Sequence, residues 1–121
     1  YKFIDGFAKS LDPRHKHLKP YRDYLLYPKT NSKVKCLSSD TMTQDGLNPS
    51  CFIVDEYHAA QNSDNYNVLK SGQASRKNPL AIIISSAGVL LDTYPCFEEC
   101  KVGMEILRGL KEDDSRFFAI Y

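Results

Sequence analysis

Residues 51–60 read CFIVDEYHAA: four apolar residues suited to a buried strand run into two adjacent carboxylates, Asp55 and Glu56, then Tyr57 and His58. Unpaired carboxylates are costly to bury, so a strand that ends on two of them is expected to end at a mouth open to water. Such a pair can divide labour. One carboxylate can help hold Mg2+, generally through the ion's water shell, because Mg2+ keeps several waters and uses few protein ligands. The other can polarise an attacking water as a general base. If the pair continues the strand, the two side chains point to opposite sides, one toward metal and one toward nucleophile. Strand-end acids also cap helices, and for this stretch alone that plainer reading stays open. LAIIISSAG at residues 80–88 repeats the form, an apolar run followed by Ser85, Ser86, Ala87 and Gly88. Hydroxyls there can face a phosphate. Taken alone, the tetrapeptide reads rather as a turn that needs Gly88 for positive φ.

These residues require a frame. CFIVDE and LAIIISS are short apolar runs bounded by turn signals, which predicts strands covered on both faces. Between them, residues 64–75 predict a helix with Tyr66, Leu69 and Val68 inward, stopped before Asn78-Pro79. Residues 92–110 predict a longer helix with Phe97, Val102, Ile106 and Leu110 near one face, and FFAIY at 117–121 predicts a third buried strand. Such an alternation indicates an α/β fold, a mainly parallel sheet flanked by helices, with ligands at the carboxyl ends of its strands. Upstream, Phe3, Phe7 and Leu11 fall at helical spacing, as at the end of a helix. A basic loop punctuated by proline runs from Pro13 to Pro20, and YLLYP and SKVKCLS predict a hairpin joined by KTN. TMTQDGLNPS is dense in turn formers and predicts loop.

With 121 residues, 42% of them apolar and 26% charged, the composition is that of one soluble globular domain. No apolar run approaches the ~20 residues of a membrane span, and no secretory segment opens the chain. A chain beginning on Tyr1 is expected to be a piece of something longer. The net charge of +1 is unevenly spread: residues 1–35 hold nine Lys or Arg against Asp5, Asp12 and Asp23. Within it RHKHLKPYR interleaves cations with His and Tyr, a pattern that can touch phosphate; a solvated basic face is the preferred reading. Cys36 and Cys51 sit in strand-like segments, where free Cys behaves as a small hydrophobe. Cys96 and Cys100 share a helix face, but His15, His17 and His58 supply no zinc spacing with them. Reduced structural thiols are expected.

In order, DGLNPS-CFIVDEYHA, then VLKSGQASRKNPL, then AIIISSAG, resemble the large terminase subunit of tailed bacteriophages, the ATPase that packages DNA into an empty capsid. The pieces follow that family's "dGlnps-(apolar)-DEyHa", "g..aR.qPl" and "iTTAG" through residues 38–90, and GLKEDDSRFFAIY is similar to its "dd..ff..iy" segment. The resemblance implies that Asp55 is the Walker B metal-associated acid and Glu56 the catalytic carboxylate. It makes Ser85, Ser86, Ala87 and Gly88 the coupling motif, with Ser-Ser where Thr-Thr is usual. Arg76 matches the "aR" and is a candidate arginine finger or sensor, against a surface salt bridge at even weight. His58 is secondary, with packing or switching expected of it rather than catalysis.

The resemblance further implies a P-loop NTPase (RecA-like) fold, ATP and Mg2+ as cofactors, and double-stranded DNA, a portal protein and a small terminase subunit as partners. A homo-oligomeric ring in the host bacterium's cytoplasm, away from membrane, is implied with them. One departure stands out: no G-x-x-x-x-G-K-[ST] occurs in the chain. The Walker A strand and the nuclease domain are therefore expected outside it, and residues 1–121 are expected to form the single C-terminal part of the ATPase domain, inactive alone. Two other readings compete: a helicase-like P-loop ATPase fragment, and a non-enzymatic α/β module that binds nucleic acid.

Overall fold

The computed structural model describes residues 2–38, 46–86 and 92–120. The chain gathers into two compact units, Tyr1–Ser39 and Asp40–Tyr121. The first opens with helix α1, Lys2–Leu11. An Asp5–Lys9 ion pair one turn apart (2.7 Å) supports it, and Ala8 is its buried residue. The predicted helix forms, but Phe3, Phe7 and Leu11 lie exposed along it.

The expected hairpin also forms. Strands β2 (Tyr24–Tyr27) and β3 (Ser32–Lys35) pair antiparallel, Leu25 opposite Val34. Asn31 takes a left-handed φ of 54° in the connecting turn, a conformation asparagine tolerates better than most residues. The last residues of the predicted basic loop form a further short strand, β1 (Lys19–Pro20), paired antiparallel to β2. Proline fits there because β1 is an edge strand of the sheet.

In the second unit, β4 (Cys51–Val54) and β5 (Leu80–Ile83) are adjacent and parallel, in register from Cys51–Leu80 to Val54–Ile83. Helix α2 (Asp64–Gly72) connects them, as a parallel crossover requires. Phe52 is buried and meets the edge of the Tyr66 ring at 5.7 Å, with Leu69 buried on the same helix. The opposite face is not covered: Ile53 is 59% and Leu80 53% exposed. The expectation of strands buried on both faces is thus corrected. A single helix layer covers a single face of a two-stranded sheet.

Helix α3 (Pro95–Leu107) is shorter than its predicted span. Pro95 fits the first turn, where no intrahelical donor is needed. Gly109, at φ 69°, ends the helix by donating to the Ile106 carbonyl while Leu110 reaches back to Glu105; Leu110 is consequently exposed. The predicted third strand does not form. Residues 116–120 are irregular, with Phe117 94% exposed and only Phe118 turned inward, its ring on Gly103 of α3. One aromatic plug into a helix face, tied by Arg116 to Glu99 (2.7 Å), replaces the alternation of a strand. Among the described residues β4 is the one strand paired with β5.

The sheet is not mainly parallel either. The parallel pair is α/β, but three further strands form a separate antiparallel sheet. Among the described residues no helix is long and apolar enough to cross a membrane.

Candidate functional site at the carboxyl ends of the parallel strands

Ladder bonding continues past the end of the parallel pair: Ile84 N–H donates to the Val54 carbonyl (2.9 Å) and Tyr57 N–H to the Ile84 carbonyl (3.3 Å). Asp55 and Glu56 bulge out between these two bonds, both exposed. Asp55 Oδ1 accepts the N–H of Glu56 at 3.0 Å. Glu56 sits at φ 54°, ψ 42°, left-handed, and opens a 3-10 turn over Tyr57–Ala59. The carboxylates are therefore not set apart by strand alternation, as the sequence reading expected. A left-handed residue, costing about 1–2 kcal/mol for a side chain other than Gly, redirects Glu56 instead.

The Glu56 carboxylate turns toward His58, with Oε2 3.2 Å from Nδ1. The same Nδ1 lies 3.2 Å from Ser86 Oγ and 3.3 Å from Ser85 Oγ, and His58 N–H donates to Ser85 Oγ at 3.0 Å. His58 thus joins Glu56, after β4, to the hydroxyls after β5. Ser85 Oγ also lies 3.4 Å from Cys96 Sγ in the first turn of α3. Ala87 and Gly88 lie outside the described residues.

Beneath the site, Tyr57 is buried, its ring 6.1 Å from that of Tyr66. Burial, with the nearby Glu99 carboxylate, pushes the Tyr57 phenol up to about 12 and raises that of Tyr66 as well. Both stay protonated near neutral pH and serve as packing. Arg116 balances Glu99 there, and its Nε is 3.3 Å from Asp113.

The other sequence-predicted residue is elsewhere. Arg76 donates through Nε (3.1 Å) and Nη2 to the backbone carbonyl of Asn48. Asn48 precedes β4, so Arg76 lies at the amino ends of the strands, roughly 13 Å of strand away from the carboxylates. There it joins a set of hydrogen bonds between the segment after α2 and the loop before β4. Asn48 Nδ2 donates to Ser75 Oγ (2.8 Å), and a Cβ added at Gly72 would stand 2.3 Å from the Leu47 carbonyl oxygen. Gln73, which sequence reasoning missed, is buried and donates through Nε2 to the carbonyls of Ser50 (3.3 Å) and Leu80 (3.0 Å). The available signal was a glutamine directly after a helix-ending glycine. Residues 47–50 and 72–76 are thus two halves of one structural clamp.

All four cysteines are free, and Cys36 and Cys51 are exposed rather than packed as small hydrophobes. No group of three or more His, Cys, Asp or Glu forms an all-protein cation cage among the described residues. Mg2+ does not require one, and an exposed strand-end carboxylate such as Asp55 fits an ion held mostly through water. Neighbouring hydroxyls and a glutamate suit a phosphoryl group with an attacking water, while the phosphate-cradling loop is not in this sequence.

The family described as "Terminase large subunit, ATPase domain" matches residues 8–102. Protein YmfN of Escherichia coli (strain K12) is 34% identical over 77 residues, 64% of this chain. The chain spans 17% of that protein's length. No solved structure matches.

Proposed function

The chain belongs to the ATPase-domain family of terminase large subunits, and from that premise we propose that it carries the hydrolytic and coupling half of a DNA-packaging ATPase. One observation carries this reading: His58 links Glu56, the second acid of the Asp55-Glu56 pair, to Ser85 and Ser86 across two adjacent parallel strands. Asp55 is the acid that would take part in holding Mg2+, and Mg-ATP, when bound, brings the phosphoanhydride to be cleaved and the charge that offsets it. Glu56 is the general base, receiving a proton from water at a carboxylate oxygen. Its contact with His58 makes release from the imidazole a condition for that role. Ser85 and Ser86 transmit the state of the site through His58 to Glu56. The Asn48 carbonyl holding Arg76 supports a scaffolding role for it over that of a finger or sensor.

By the same reading the intact protein acts on double-stranded DNA, with a portal protein and a small subunit as partners. It works as a ring in the host cytoplasm, and the Walker A strand and a nuclease domain lie outside residues 1–121. The 121 residues alone hydrolyse no ATP. Glu56→Gln in the intact protein tests the assignment: turnover falls by ~10²–10⁴ while nucleotide binding is kept, because the amide fills the space but cannot take the proton. Unchanged turnover would sink it.

A further inference from the structure

The acids of the first unit are all engaged. Asp5 pairs with Lys9 at 2.7 Å and Asp23 with Lys35 at 3.4 Å. Asp12 is enclosed by the backbone N–H groups of Lys16 (3.0 Å), His17 (2.7 Å) and Leu18 (2.8 Å). Most of the unit's nine Lys and Arg therefore have no carboxylate partner among the described residues.

The sheet gathers some of them. Lys19, Leu26 and Lys33 stand opposite one another across β1, β2 and β3, and Tyr24 stands opposite Lys35. Directly opposed residues share a sheet face, as do residues two apart on a strand. One face thus carries exposed Lys19, Lys33 and Lys35 around Tyr24 and Leu26, while buried Leu25 belongs to the other. The lysine rows on β1 and β3 are about 9–10 Å apart, two strand spacings. Lys19 Nζ donates to the His15 carbonyl at 2.8 Å, which uses one of its three donors.

We propose that this face docks the phosphate backbone of duplex DNA. The proposal rests on the packaging reading only for which polyanion is met. Compact ammonium charges without guanidinium forks suit phosphate rather than base edges, so the contact is sequence-independent. Single strands bind mainly by stacking bases on aromatic rings. Here the Tyr24 ring already stacks on Tyr21 (4.7 Å, 11°) and carries the Lys33 ammonium 5.3 Å from its centroid.

Fluorescence anisotropy of the 121-residue chain with a labelled duplex, without nucleotide, tests this between about 50 and 200 mM salt. Affinity should fall steeply with salt. Lys33→Ala should lower the log–log salt slope by about 1, and Lys19→Ala/Lys33→Ala by about 2, with affinity reduced ~10-fold at low salt. The Lys19→Arg/Lys33→Arg pair should keep both affinity and slope, which separates lost charge from lost fold. Asp23→Asn, by releasing Lys35, should tighten binding a few-fold. Lys70→Ala/Lys101→Ala, in the second unit, should change nothing. Absence of salt-dependent binding by the unaltered chain overturns the proposal, as does an unchanged slope in Lys19→Ala/Lys33→Ala or tighter binding of the single strand. With no nucleotide present, an active Glu56→Gln enzyme would leave this result standing.

Discussion

His58 makes two contacts with one hydroxyl: its backbone N–H donates to Ser85 Oγ at 3.0 Å, and its Nδ1 lies 3.3 Å from the same oxygen. The residues are 27 positions apart. They meet because β4 and β5 are parallel and in register, so that both strands end at the same level. Ser85→Ala removes the acceptor and should destabilise the chain by about 1 kcal/mol in urea denaturation. Ser85→Thr keeps the hydroxyl and should recover most of it. An alanine variant as stable as the unaltered chain would show the bridge to be incidental.

Glu56 holds a left-handed backbone that glycine adopts freely. Glu56→Gly should therefore raise stability by about 0.5–1 kcal/mol while abolishing turnover in the intact protein. A melting temperature that falls would mean that the His58 contact outweighs the strain.

Gly103 faces the Phe118 ring so closely that an added Cβ would lie 2.3–2.5 Å from three of its atoms. Gly103→Ala should cost about 1–3 kcal/mol by displacing the ring. With Phe118→Ala already present, the same change should turn favourable by about 0.5–1 kcal/mol, since alanine is the better helix former. A double-mutant cycle reads the sign directly, and additive effects would remove Phe118 from α3.

Three backbone N–H groups pull the Asp12 carboxyl down to about 2 from an ordinary 3.8. Its folded value is depressed, so its stabilising contribution is complete above the ordinary value and is lost as pH falls from about 4 to about 2. Amide exchange at Lys16, His17 and Leu18 should be protected at pH 5 and quicken, relative to intrinsic rates, across that window. In Asp12→Asn the pH dependence should vanish. Persistence of it would place the titrating group elsewhere.

Local sequence carried a good deal of this molecule. Apolar runs ended by turn formers located β4 and β5, helical spacing located α1, α2 and α3, and the Lys29-Thr30-Asn31 turn located the hairpin. These features depend on periodicity and on turn chemistry, both of which act over a few residues. The order of motifs through Asp55, Glu56 and Ser85 carried the family as well. FFAIY shows the limit: an apolar run suits a buried strand or an irregular segment with one plugged ring, and the gap left at Gly103 decides between them.

What the sequence by itself determined is which residues are chemically equipped: carboxylates after one apolar run, hydroxyls after another, cations crowded into the first third. Only the tertiary structure decided which of them meet. It brought His58 to Glu56 and to the hydroxyls of Ser85 and Ser86, and sent Arg76 to the opposite end of the strands. It joined Gly72, Gln73 and Arg76 to a loop more than twenty residues earlier. It also placed Lys19 and Lys33 in one row, seven positions to either side of Leu26. Strand register and close backbone approach set these meetings, and both are properties of paired chain segments rather than of any one segment's composition.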